Sequence, residues 1–350
     1  MNTRRSTCPS VELAPGYSIS PLITGCWQLA ADHGAASVEF ELLVERWRRA
    51  LAAGYTTFDC ADIYTGVEEL LGRFLRRLDD SSAVRIHTKY VPDLGNLARV
   101  DRPAIVRAID QSLAGLGREQ LDLVQFHWWD YAVPGYVETA LVLDELRQAG
   151  KIRYLGLTNF DLERLREIVA AGVEVVAVQV QYSVLDRRPE NGLAEWCRQH
   201  GIGLLCYGTL AGGFLSDAYR GVPEPPERAA NRSLVKYALI LDELGGWSAL
   251  QEILDPLAAI AGRRGVPLAT AAIRWVLERP GVAAAVVGVS RRERSDTFGR
   301  LWSQAWSEQD WSELDAVLAR YPGPTGAVYG LEREPAGPHL AILRMNLKEG

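Results

Sequence analysis

"YTTFDCADIYTGVEELLG", residues 55–72, holds a change of structure within a few positions. Tyr55-Thr56-Thr57-Phe58 is a β-branched and aromatic run of the kind that suits a strand. Leu70, Leu71, Phe74 and Leu75 recur at helical spacing and mark one apolar helix face. Asp59, Asp62 and Tyr64 stand where the strand hands over to the helix. Asp62 suits a loop or cap; Asp59 and Tyr64 ask for another reason.

The same handover recurs along the chain. Strand-like runs lie near 22–26, 55–59, 84–90, 121–127, 152–158, 174–180, 202–207 and 284–288. Helical periodicity follows near 37–53, 66–78, 102–116, 135–149, 161–171, 189–200, 267–279 and 291–303. In the fifth helix Leu162, Leu165, Ile168 and Val169 form the stripe, and Asp161 is placed to cap it. Eight strand-then-helix units predict an α/β fold of the closed (β/α)8 TIM-barrel type. An open doubly wound sheet is the alternative, but no G-x-G-x-x-G follows the first strand.

Three additions exceed the repeat. A β-hairpin over Leu13 to Ile19 is expected to plug the barrel floor. Residues 211–248 follow the seventh strand, contain Pro223, Pro225 and Pro226, and hold a short helical stripe of Leu234, Ala238, Leu241 and Leu244. A connection this long is expected to be a lid or binding loop. An extra C-terminal helix near 308–320 carries Trp311, Leu314 and Leu318, and a Pro/Gly-rich tail over 321–350 is expected to cover the mouth. Residues 1–12 read as a flexible tail and 13–350 as one barrel domain.

Composition narrows the function classes. The net charge of the 350 residues is −6, which gives no basic surface for nucleic acid. No apolar run approaches the ~20 residues that cross a bilayer, and Met1 to Ser10 lack a signal-peptide core. Cys8, Cys26, Cys60, Cys197 and Cys206 include no C-x-x-C pair. They read as unpaired thiols of a reducing, cytoplasmic compartment.

In a barrel the C-terminal strand ends ring one mouth, where chemistry occurs. Strand two ends at Asp59, with Tyr64 just beyond; strand three carries Lys89 and strand four His127. Strand five ends at Thr158-Asn159, strand six carries Gln179, and strand seven runs into "YGTLAGG". Each alone has a plain packing explanation, and His87 is read as barrel packing. Convergence of Asp, Tyr, Lys and His on one mouth suits carbonyl reduction. A hydride reaching a carbonyl carbon leaves charge on oxygen, which Tyr64 can protonate. Lys89 favours the phenolate that the reverse reaction needs, Asp59 holds Lys89 charged, and His127 orients the substrate oxygen.

"GYTTFDCADIYTGVEELLG", "IHTKYV", "DLVQFHWWD", "GKIRYLGLTNF", "VQVQYSVLDRR" and "YGTLAGGFL" together resemble the aldo-keto reductase superfamily, in family order over about residues 13 to 300. The resemblance implies that Asp59, Tyr64, Lys89 and His127 are its catalytic tetrad, and that NADPH lies across the mouth, with NADH the alternative. It implies that Thr158, Asn159 and Gln179 bond the nicotinamide carboxamide and that Tyr207 stacks on the ring. Gly208, Thr209, Leu210 and Gly212 would cradle the pyrophosphate, with Trp27 and Gly288 beside the cofactor. Ser290 and Arg294 in "VVGVSRRERSDTFG" would hold a 2′-phosphate. Thr297-Phe298 depart from the family's usual adenine-binding pair.

Trp27, Trp128, Trp129 and Tyr131 follow strand ends one and four and are expected to wall the substrate pocket. Asn231, Arg232, Lys236 and Tyr237 in the lid are candidates to meet an acidic substrate. The expected partner is a small carbonyl compound, with no metal, nucleic acid or membrane; the oligomeric state stays open. Two other classes compete. A nicotinamide-sensing regulatory subunit with little turnover would keep the same tetrad. A metal-dependent hydrolase would need clustered ligands, and the five histidines form no H-x-H or H-E-x-x-H pair.

Overall fold

The computed structural model describes residues 8–30, 39–225, 232–288 and 300–343, with only the backbone of Arg232. Strands β1 (Val11–Ala14) and β2 (Tyr17–Ile19) pair antiparallel. Then come β3 (Leu22–Gly25), β4 (Thr57–Asp59), β5 (Arg85–Tyr90), β6 (Leu121–Phe126), β7 (Ile152–Thr158), β8 (Val175–Gln181), β9 (Gly203–Tyr207) and β10 (Val282–Gly288). These eight form a closed parallel barrel in which β10 pairs with both β9 and β3. The barrel expectation is met.

Helices α1 (Phe40–Ala52), α2 (Val67–Leu75), α3 (Arg102–Leu116), α4 (Tyr136–Gln148), α5 (Leu162–Ala170) and α6 (Leu193–Gln199) follow successive strands. Asp161 caps α5 by accepting from the Arg164 amide, and Asp101 caps α3 in the same way. Between α1, β4 and α2 the rings of Trp47, Phe58 and Phe74 pack with centres 5.0–5.9 Å apart, Trp47 on Phe58 edge to face and the other two pairs tilted. All three are fully buried, each worth about 1.5–3 kcal/mol of transfer. This core fixes where Asp59 leaves the barrel.

The hairpin closes the floor as expected. Tyr17 is completely buried and its hydroxyl pairs with His87 Nε2 at 3.0 Å, so His87 is a packing residue of the barrel. Tyr154 and Arg153 donate to the Pro15 and Gly16 carbonyls at the hairpin tip. Val11 and Glu12, expected in a flexible tail, belong to β1, because their backbone pairs with Ile19 and Ser18. Residues 1–7 of that tail lie outside the described residues.

After β9 the chain departs further from the simple repeat. Helix α7 (Arg232–Leu244) carries the predicted stripe, and Ala238, Leu241 and Leu244 are buried. The sequence reading missed α8 (Gly246–Arg264), which precedes α9 (Leu268–Leu277). Pro256 inside it and the glycines at its start disguise the period, yet Leu250, Ile253, Leu254 and Leu257 are all buried. Helix α10 (Glu308–Leu318) buries Trp311, Leu314 and Leu318 as expected. A short α11 (Pro338–Ala341) follows in the C-terminal segment. The helix expected over 291–303 lies almost wholly outside the described residues.

Candidate active site

Asp59 ends β4 and Lys89 lies near the end of β5; both are about 5% exposed or less. Lys89 Nζ donates to Asp59 Oδ1 at 2.6 Å and to the Cys60 carbonyl at 2.8 Å. Asp59 Oδ2 accepts from Gln125 Nε2 at 2.9 Å and Gln179 Nε2 at 2.6 Å. A buried ion pair repays its desolvation only when further hydrogen bonds support it, and here a main-chain carbonyl and two glutamine amides do so. Burial opposes the Lys89 ammonium, but Asp59 and then Tyr64 outweigh it, and its pKa lies above the ordinary lysine value.

Tyr64 faces this pair, its ring centre 5.3 Å from Lys89 Nζ. Burial raises its pKa and Lys89 lowers it; burial wins, and the phenol is pushed up to about 12. Lys89 therefore moderates the shift without producing a phenolate near neutrality. The hydroxyl is held as an acid.

His127 directly follows β6. Its Nδ1 is 3.2 Å from the Thr158 carbonyl, and a carbonyl only accepts, so Nδ1 carries the proton. Burial, and next the Arg333 charge, lower its pKa to about 3. The ring is neutral and Nε2 is an acceptor, buried with no hydrogen-bond partner among the described residues. Trp129 and Tyr329 enclose it edge-on, at 4.5 and 5.6 Å between ring centres.

A cleft of about 310 Å³ opens here, lined by all four of Asp59, Tyr64, Lys89 and His127. Trp27, Trp129, Thr158, Asn159, Gln179 and Tyr207 line it as expected, as do Gly208, Thr209, Leu210, Gly212 and Gly288. Tyr207 donates to Asn159 Oδ1 at 2.9 Å, and Asn159 itself sits at φ 62. Gln179 spends its amide N–H on Asp59, which leaves Oε1 for a carboxamide. Ser290 and Arg294 lie outside the described residues, as does Asn231.

The residues present fit a nicotinamide dinucleotide at its nicotinamide and diphosphate end. A flat ring, Tyr207, stands beside side-chain amides. Gly208 and Gly212 have φ of 73° and 67°, and a β-carbon at either would come within 3.0 Å of Tyr237. Tyr237 fills the space a β-carbon would take, which is why glycine is required there, and the bare backbone of this turn borders the cleft.

Two pocket expectations need correction. Trp128 is only 1% exposed and turns outward, donating to the Val133 carbonyl at 2.9 Å and packing on Phe126. Along β6 and its extension, positions 125, 127 and 129 face the mouth and 126 and 128 face the helices. Tyr131 also lies off the cleft, packed on Phe160 and under the Arg333 guanidinium at 4.0 Å.

Gln125, Tyr329, Glu332 and Arg333 were not foreseen. The alternation that exposes Trp128 would have found Gln125, two residues before His127. The others sit in the C-terminal segment, which has no period to read. Arg333 donates to the carbonyls of Trp128, Trp129 and Asn159 at 2.7–3.0 Å and so clamps that segment across the mouth. Tyr329, Ile342 and Leu343 thereby line the cleft. Among the described residues no group of three or more His, Cys, Asp or Glu could hold a metal, and no helix is long and apolar enough to cross a membrane.

Comparison with known proteins agrees with this geometry. A model of the Aldo/keto reductase family matches residues 21–319. The flagellar radial spoke protein 5 of Chlamydomonas reinhardtii is 29% identical, over 92% of this chain and 68% of its own length. An NADP(+) aldo-keto reductase, yakc, of Schizosaccharomyces pombe is 28% identical over 89% of this chain and 94% of its own. A thermostable aldo-keto reductase crystallised with the inhibitor epalrestat superposes with a TM-score of 0.70 at 26% identity, covering 88% of this chain and 99% of that one.

Proposed function

Because the chain belongs to the Aldo/keto reductase family, we propose that it is an NADPH-dependent reductase of an aldehyde or ketone, with Tyr64 as the proton donor. The observation that carries this reading is an acid kept protonated, Tyr64, beside a buried Lys89–Asp59 pair supported by hydrogen bonds from two glutamine amides and to the Cys60 carbonyl. The dinucleotide supplies the hydride when bound. Thr158, Asn159 and Gln179 Oε1 orient the carboxamide, and Tyr207 supports the ring.

The protein's part is to hold the carbonyl oxygen at the Tyr64 hydroxyl, near the Lys89 ammonium, with the neutral His127 ring beside the site. As negative charge grows on that oxygen, the Lys89 ammonium stabilises it and the Tyr64 proton moves to it. The alcohol O–H then donates to His127 Nε2, the acceptor left unpaired by the Thr158 bond. His127 thus orients the hydroxyl form and takes no part in protonating the carbonyl. Trp27, Trp129 and Tyr329 give the cleft an apolar lining beside the reacting centre.

The test is titration of tryptophan fluorescence with NADPH and NADH, followed by a carbonyl screen. Saturable binding with NADPH preferred, and Tyr64→Phe lowering kcat by roughly 10²–10⁴-fold while NADPH still binds, is the expected result. Full activity of Tyr64→Phe would sink the assignment. A second reading, a nicotinamide-binding subunit with little turnover, is favoured by the likeness to a protein named for the flagellar radial spoke. Tight NADPH binding without turnover of any carbonyl would select it.

A further inference from the structure

The cleft contains a second ammonium that the reduction does not use. Lys236 projects from α7 into the mouth, 14% exposed. Its Nζ is 3.5 Å from both Glu332 Oε1 and the Tyr207 hydroxyl, at the long limit of useful contact. Around it stand the rings of Tyr207, Tyr329 and Tyr237, at 5.0, 5.6 and 5.9 Å from their centres.

The charges behind this group do not cancel it. Glu332 is shared: its Oε2 accepts from Arg188 Nη1 at 3.2 Å, and Arg188 also bonds Asp186. Asp186 and Glu332 balance Arg188 and Lys236. Next along the chain, Arg333 spends its donors on three main-chain carbonyls and has no carboxylate partner among the described residues. The set Asp186, Arg188, Lys236, Glu332 and Arg333 therefore carries one positive charge in excess on this part of the wall, while Asp242, Glu243 and Glu334 add carboxylates elsewhere on α7 and the C-terminal segment, and the field reaches the site, since Arg333 disfavours protonation of His127. Such a wall stabilises an anion placed against it.

Position puts this charge between the diphosphate side and the carbonyl side of the cleft. Tyr237, the next residue on α7, borders Gly208 and Gly212, where the diphosphate is proposed to run. Lys236 also reaches Tyr329, whose ring lies against His127 on the carbonyl side.

We propose that Lys236 selects the substrate: the carbonyl compound admitted carries a carboxylate or phosphate at the end remote from its C=O, with an apolar body between. This rests on the carbonyl-reductase reading. The carbonyl end lies at Tyr64 and His127, the apolar body along Trp129 and Tyr329, and the anion at the Lys236 ammonium.

The experiment compares kcat/KM for 4-carboxybenzaldehyde and 4-formylphenyl phosphate with that for neutral 4-nitrobenzaldehyde, in the wild type, Lys236→Met and Lys236→Arg. The ratio within one enzyme cancels changes common to all substrates. Lys236→Met is expected to lower the anionic-to-neutral ratio by roughly 10–100-fold, the worth of one buried charge-assisted contact, and Lys236→Arg to restore most of it. Whichever anionic aldehyde shows the larger drop identifies carboxylate or phosphate. NADPH affinity, read by fluorescence, is expected to change less than the ratio does. An equal ratio in wild type and Lys236→Met overturns the proposal. So does a large loss of NADPH affinity at constant ratio, which would assign the charge to the cofactor. If NADPH binds and no aldehyde turns over, the reductase reading itself fails and takes this inference with it.

Discussion

Two lysine–carboxylate pairs share one cleft, and they are built differently. Lys89–Asp59 stands on neighbouring barrel strands, 2.6 Å apart, with two glutamine amides and a carbonyl supporting it. Lys236–Glu332 joins α7 to the C-terminal segment, 3.5 Å apart, with Glu332 shared with Arg188. The environment moves the two ammonium groups in opposite directions: Lys89 is raised above its ordinary pKa, and burial lowers Lys236. The barrel fixes a charge whose position must not vary during a proton transfer. The added elements hold a charge loosely enough for an incoming group to compete for it.

That comparison breaks most severely at Asp59. Asp59→Asn leaves the Lys89 ammonium buried without its counter-charge, and stability should fall by about 3–5 kcal/mol. Urea denaturation measures this; an unchanged midpoint would show that the pair is not the locked element described. The second pair responds to acid. Burial opposes ionisation of Glu332, but Lys236 and then Arg188 outweigh it and depress its pKa from 4.5 to about 2. A depressed carboxylate contributes stability that is present above its unfolded pKa and lost as pH falls through the folded value. The wild-type advantage over Glu332→Gln should therefore shrink by roughly 3 kcal/mol between pH 5 and pH 2. Parallel acid-denaturation curves for the two proteins would contradict this.

The third effect is kinetic and leaves stability untouched. With Tyr64 at about 12, reduction should not lose its proton donor across pH 6–9, whereas alcohol oxidation, which needs the phenolate, should rise about tenfold per pH unit. Rates of the chemical step in both directions, from single-turnover traces, check this. An oxidation rate that levels off below pH 9 would place the phenol near neutrality and restore a larger role to Lys89.

The locked pair was legible in the sequence and the loose pair was not, for a physical reason. Asp59, Lys89 and His127 inherit their positions from strand periodicity, a local property that fixes both the face and the end of the barrel. The same periodicity, carried past β6, distinguishes Trp129 in the cleft from Trp128 against the helices. Lys236 could be named as a cation in a long connection, but its partner is Glu332, almost a hundred residues away. Tyr329 and Arg333 likewise act through contacts at long sequence separation, in a segment without a repeating pattern. Helix α8 escaped because Pro256 breaks the expected period, although the buried stripe continues on both sides of it.

The Arg333 clamp has a consequence for change over time. Its hydrogen bonds go only to main-chain oxygens, those of residues 128, 129 and 159, while its guanidinium also lies over the Tyr131 and Tyr329 rings. Those oxygens persist whatever side chains are attached. The Trp129 side chain can therefore be exchanged, by selection or by a protein engineer, without breaking the hydrogen bonds that fasten the segment that closes the mouth. The molecule separates the part that holds its entrance together from the part that decides what enters, and so leaves a substrate range free to drift on a scaffold that stays closed.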